Sequence, residues 1–281
     1  MIMDLQDITD EFESAMALLV GAEIAKQRFD ELLQNERGNI RGEFVTDGSM
    51  VEGLFIHRFS FTGKPSTRLR KLAYDALNDC RHALDQATVA ANSLLGVASK
   101  SFVYFPSAEN EADFDSLFAS KGRCRNVHPA LVPELKGFQP WWEDDSGTGN
   151  DVLRTLMKLA GPNKHQVIID FPLELKTIKN NVTAVKSARF LSLPPVRREL
   201  GAAQVGIEIP AVRGRTDFIA AITDKPDDFS FDFGETILGL YAREASRFPA
   251  TPFPDLLGSF VKTTKDIVFR IENFVLNEIN P

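Results

Sequence analysis

Apolar residues recur every three or four positions along three stretches of this chain and every second position along others. Ile8, Phe12, Ala15, Leu19, Ala22, Phe29 and Leu33 predict a helix over residues 8–35, with Asp7 available as its cap. Met16, Leu18, Val20 and Ile24 widen its apolar surface, so it is expected to be packed on two sides. Leu69, Ala73, Ala76, Cys80, Ala83, Ala87, Ala90 and Leu94 form a second seam that stops at Gly96. Its side chains are mostly small, which lets a neighbouring backbone approach closely, so this helix is expected at the centre of a bundle. Leu72, Leu77 and Leu84 broaden its buried face. Asn150 can cap a helix through Ala160 that Gly161-Pro162 ends, and Leu257, Phe260, Thr264, Ile267, Ile271 and Phe274 predict a last helix from about Pro254.

Between these helices the period shortens. Ile40 to Val45 and Leu54 to Phe59 flank Asp47-Gly48, a turn dipeptide, and predict a hairpin at about 39–61. Val167–Ile169, Leu173–Ile178, Val182–Leu193, Val205–Ile209, Phe218–Ile222 and Phe229–Phe233 read as strands. The fold class expected from this pattern is α+β. Residues 1–165 form a mainly helical bundle carrying the hairpin, residues 166–250 a β-rich segment, and residues 251–281 a C-terminal helix that returns to the bundle.

Composition narrows the function classes. With 281 residues the chain can bury a core without metals or disulfides, and its formal charge of -7 argues against coating a polyanion. Nucleic acid could be held only in a local basic cleft. The two cysteines, Cys80 and Cys124, suit a reducing, cytoplasmic compartment. The longest apolar run, Ala15 to Ala25, is interrupted by Glu23 and is too short to span a bilayer, so no membrane partner is expected. The four histidines are far apart in sequence and no HExxH or CxxC occurs, so neither a metal site nor a cofactor is expected.

The chemistry concentrates on the second helix. Asn78, Arg81, His82, Asp85 and Asn92 share one arc, nearly opposite the Cys80/Ala87 seam. They can act together, although a polar arc opposite an apolar one is also how a solvent-facing helix surface looks. Asp75-Ala-Leu-Asn78-Asp-Cys-Arg81-His-Ala-Leu-Asp85-Gln86 resembles the DALHNLRSALDH segment of a family of uncharacterised bacterial and phage proteins. In that family FP, LQP and DKHR steps follow, and here Phe105-Pro106, Phe138-Gln139-Pro140 and Asn163-Lys164-His165-Gln166 come in the same order. The resemblance covers roughly residues 28–170. Its Arg-x4-His spacing is similar to that of HEPN domains, helical bundles that often dimerise and cleave RNA without a metal. The resemblance therefore implies a homodimer through the central helix, with Arg81 on phosphate and a histidine moving the proton.

Two departures weaken that implication. Gln86 stands where the family has its histidine, and an amide is neither a general acid nor a general base. The DKHR step has lost its acid and its arginine to Asn163 and Gln166. His82, or His165 held by Asp85, could replace the missing group; a loop histidine bonded to helix-end carbonyls is the plain alternative for His165. The candidate catalytic set is thus Arg81, Asp85 and His165, with Asn78, His82, Asn163 and Lys164 as candidate binding residues. Arg123 to His128 repeats the Arg-to-His spacing but reads as a solvated loop; Lys121, Arg123 and Arg125, or Arg197, Arg198, Arg213 and Arg215, could bind an anion, with scattered surface charge as the plainer reading. The function expected is that of a non-catalytic cytoplasmic binding or assembly protein using the polar face around Arg81 and Asp85. The alternative is a HEPN-like metal-independent ribonuclease or a nucleotide-binding protein.

Overall fold

The structure is a computed structural model. It describes side chains over residues 9–36, 66–97, 99–160, 247–248 and 251–279, and backbone alone at the remaining positions of the helices and strands named below. Six helices occur among the described residues: α1 (Leu5–Arg37), α2 (Thr67–Leu94), α3 (Glu111–Ser116), α4 (Leu131–Gly137), α5 (Asp151–Ala160) and α6 (Phe253–Ile279). The chain divides into two units, one of Met1–Glu31, Arg68–Asp170 and Glu244–Pro281, the other of Leu32–Thr67 and Phe171–Arg243.

The first unit is built on the seams that the apolar spacing predicts. Phe12, Ala15, Leu19, Ala22, Ala25 and Phe29 of α1 are buried, as are Ala73, Ala76, Cys80, Ala83, Ala87 and Ala90 of α2 and Phe260, Ile267, Ile271 and Val275 of α6. A glycine of α1 leaves room for a side chain of α2: a Cβ on Gly21 would stand 2.7 Å from an Asp79 carboxylate oxygen. Phe29 and Phe253 meet edge-to-face at 5.7 Å, and Lys265 of α6 donates to Glu23 of α1 at 2.8 Å. Helix α2 ends in a left-handed turn at Gly96, φ 92°, with Val97 N–H donating to Asn92 O and Gly96 N–H to Ser93 O, the Schellman pattern that caps the last carbonyls. The Asn150 side chain accepts from Leu153 N–H at 3.0 Å and starts α5.

The expected α+β class is corrected by this structure. Wherever side chains are described the chain is helix and loop, without a strand, and the body that carries the candidate site is all-α. Alternating apolar residues express a local backbone preference, whereas membership of a core depends on which side chains bury one another. Among the described residues the core is filled by helices and loop aromatics, with Phe12, Phe29, Phe105, Phe114, Phe253 and Phe260 among its largest fully buried side chains. Backbone pairing in the second unit runs in the orders β1-β2-β7-β4 and β5-β6-β3-β8. These segments are β1 (Arg41–Val51), β2 (Leu54–Thr62), β3 (Leu173–Thr183), β4 (Ala188–Phe190), β5 (Val196–Glu199), β6 (Gln204–Pro210), β7 (Phe218–Thr223) and β8 (Ser230–Leu240). The side chains of the hairpin at 39–61 and of the segment 166–250, through which packing on the bundle was expected, lie outside the described residues.

Candidate functional site

Helix geometry puts Asn78, Arg81, His82 and Asp85 on one side of α2, and all four line a single cleft of about 660 Å³. The opposite wall comes from the segment after α2, through Tyr104, Ser107, Glu109 and Arg123, and from α5, through Arg154, Met157, Lys158 and Ala160. Arg154 and Lys158 are four residues apart and so project from one face of α5.

Arg81 and Asp85 have a structural task within this wall. Arg81 Nε donates to Asp85 Oδ2 at 3.1 Å, and Phe105 N–H donates to Asp85 Oδ1 at 2.9 Å. Arg81 Nη2 reaches the Phe105 carbonyl at 3.5 Å and Nη1 lies 2.8 Å from Met157 Sδ. The pair is mostly shielded, with side-chain exposures of 16% and 20%. Together the two residues satisfy both backbone groups of Phe105, whose ring is buried, and so pin an irregular segment to α2.

Asn92, further along the same arc, is buried at 1% exposure. Its amide donates to Asn126 O at 3.2 Å and its carbonyl accepts from His128 N–H at 2.6 Å. His128 in turn accepts Ala130 N–H on Nδ1 at 3.2 Å, so the Arg123–His128 stretch is a clamped loop in which the imidazole helps shape a turn. Gln86 and His82 are exposed and Asn78 is half-buried. Asn163, Lys164 and His165 lie outside the described residues.

Residues outside the expected catalytic and binding set supply most of the charge. Arg123 Nη2 donates to Ser107 O, and Arg154 Nη1 donates to Ser107 Oγ at 3.1 Å, so two guanidinium groups from different elements converge on one serine. Arg154 also pairs with Glu109, which accepts the Trp142 indole N–H at 2.7 Å. Arg154 and Lys158 stand 5.3 and 5.7 Å from the centroid of the Trp142 ring. Desolvation acts to raise the Glu109 carboxyl, but the Trp142 hydrogen bond, Arg154 and Lys158 outweigh it and hold the group below its ordinary value. Among the described residues, Arg123 and Lys158 have no carboxylate within ion-pair distance. Among the described lining residues, four cations (Arg81, Arg123, Arg154 and Lys158) and two carboxylates (Asp85 and Glu109) give a formal charge of +2, in a chain whose total is -7. The i, i+4 test that singles out Arg81 and Asp85 would also have found Arg154 and Lys158; nothing in the sequence brings Arg123 to them.

The cysteines stand apart from this chemistry. Burial pushes the Cys80 thiol up to about 12 and the Cys124 thiol up to about 11, which leaves both protonated and inert near neutrality. Among the described residues no group of three or more His, Cys, Asp or Glu side chains could hold a metal ion, and no helix is long and apolar enough to cross a membrane.

Fold and site together define an all-helical body with a net cationic cleft against its central helix. No family model, curated protein or solved structure matches the chain.

Proposed function

We propose that this is a non-catalytic binding protein whose cleft on the polar face of α2 holds a small ligand. The observation that carries the reading is the convergence of Asn78, Arg81, His82 and Asp85 with Arg123, Arg154 and Lys158 around one cavity of about 660 Å³, a volume typical of small-molecule sites. In this reading Arg81 and Asp85 build the wall. The groups open to a ligand are the half-buried Asn78 and the exposed His82, Lys158, Arg123 and Tyr104.

Ligand-observed NMR with a fragment library, run on wild type and on a His82→Ala/Lys158→Ala variant, tests the reading. Fragments that bind wild type and are lost from the variant are expected. A library that yields no binder, or binders indifferent to both substitutions, refutes it. The ribonuclease alternative rests on the sequence resemblance. Against it weigh the amide at Gln86 and the engagement of Arg81 with Asp85, Phe105 and Met157. RNA turnover by wild type that disappears in His82→Ala would reverse that preference. The small-residue seam of α2 is covered within the chain, so a second copy meeting this helix would do so at exposed positions such as Arg68, Lys71, His82 and Gln86.

A further inference from the structure

Bringing Arg123 and Arg154 to the same serine sets two like charges side by side, at a Coulomb cost that falls only if a counter-charge lies between them. Glu109 meets part of that cost for Arg154, but its side chain is 63% exposed and is shared with Trp142. Arg123 has no acid within ion-pair distance among the described residues, and neither has Lys158, one turn beyond Arg154 on α5. The cations are nevertheless held in place. Ser107 offers its carbonyl to Arg123 and its hydroxyl to Arg154, and the Trp142 ring faces Arg154 and Lys158. Arg154 Nε is buried with no hydrogen-bond partner. Among the described residues this is a fixed array of donors with an excess of two positive charges, which suits a dianion; a phosphate monoester carries a charge of about -1.5 to -2 at pH 7.

Building on the binding reading above, we infer that the cleft recognises a phosphate monoester of a small organic molecule, with the phosphate seated at Ser107 between Arg123 and Arg154 and reached by Lys158. A phosphate group alone would fill only a fraction of the 660 Å³. The remaining lining includes Tyr104, exposed at 44%, with Met157 and Ala160, so the organic part meets an aromatic and apolar wall.

The test is isothermal titration of the full chain with phenyl phosphate, inorganic phosphate and benzoate. Phenyl phosphate is expected to bind best, inorganic phosphate at least tenfold more weakly, and benzoate, a monoanion, more weakly than phenyl phosphate. Arg123→Ala and Lys158→Glu change exposed side chains and are expected to leave the circular dichroism spectrum unchanged. Each should weaken phenyl phosphate at least tenfold, while Lys71→Ala, outside the cleft, should not. Binding of phenyl phosphate that survives both cleft substitutions overturns the assignment, as does preference for benzoate. If the phosphate probes fail while uncharged fragments still bind in a His82-dependent way, the phosphate assignment falls and the binding reading stands; failure of both removes both.

Discussion

Asp85→Ala removes the acceptor that joins α2 to the backbone of Phe105, and its cost can be set from the geometry. Oδ1 accepts Phe105 N–H at 2.9 Å and Oδ2 accepts Arg81 Nε at 3.1 Å, so the substitution leaves a backbone donor and a guanidinium short of their partner. Hydrogen bonds to a charged group contribute about 1.5–3 kcal/mol each, and breaking a fully buried pair costs about 3–5 kcal/mol. Exposures of 16% and 20% let water compensate in part, which brings the expected loss to about 2–3 kcal/mol. In a protein of this size that corresponds to a fall in Tm of about 3–5 °C. Asp85→Asn keeps an acceptor for Phe105 but turns an amide toward Arg81, and should fall between wild type and Asp85→Ala.

Urea and thermal unfolding followed by circular dichroism measure the loss, and Lys71→Ala is the comparison. Lys71–Asp75 has the same i, i+4 spacing on the same helix, but its side chains are 72% and 38% exposed, so its removal should cost about 0.5 kcal/mol or less. A double-mutant cycle of Arg81→Ala with Asp85→Ala should return a coupling of about 1–2 kcal/mol. If Asp85→Ala unfolds within about 0.5 kcal/mol of Lys71→Ala, the pair is a surface ion pair and the reasoning that makes it a staple is wrong.

The crossing of α1 and α2 gives the next prediction. Gly21→Ala would ordinarily gain about 1 kcal/mol in helix propensity, but its Cβ would meet Asp79 Oδ2 at 2.7 Å and make that carboxylate turn aside, so the gain is expected to be smaller in the wild-type background than in Asp79→Ala, read from the unfolding curves. The two thiols give a prediction in pH. Burial raises their pKa, so above pH 9 the unfolded chain releases protons that the folded chain keeps, and stability should fall as pH rises. Alkylation at pH 8.5 followed by mass spectrometry should accordingly find both cysteines unmodified until denaturant is added; rapid labelling of either in the native protein would contradict their burial.

How far the site was legible in the sequence depends on what periodicity encodes. Spacing of three, four and seven fixes azimuth on a helix, so Asn78, Arg81, His82 and Asp85 could be grouped before any fold was known, and the Gly96 stop and the Asn150 cap could be read from local backbone chemistry. Spacing does not encode depth. Along one arc of α2 the structure runs from exposed His82, through Asp85 at 20%, to Asn92 at 1%, because the segment after the helix folds back over its C-terminal half, donating to that face from Phe105 N–H and His128 N–H and accepting from it at Asn126 O. A residue that a helical wheel offers equally to solvent, to a ligand or to a loop is thus assigned by chain that comes twenty to thirty-six residues later in the same bonds. The same limit explains the α+β expectation, since alternation predicts a local backbone and not which side chains share a core. It also explains why Arg123 read as solvated: its place in the cleft rests on a hydrogen bond to Ser107, sixteen residues before it in an irregular segment. The part of the arc that the returning segment leaves uncovered is the part beside Arg154 and Lys158, so the loop that hides half of the polar face also brings Arg123 and defines the charge of the remainder.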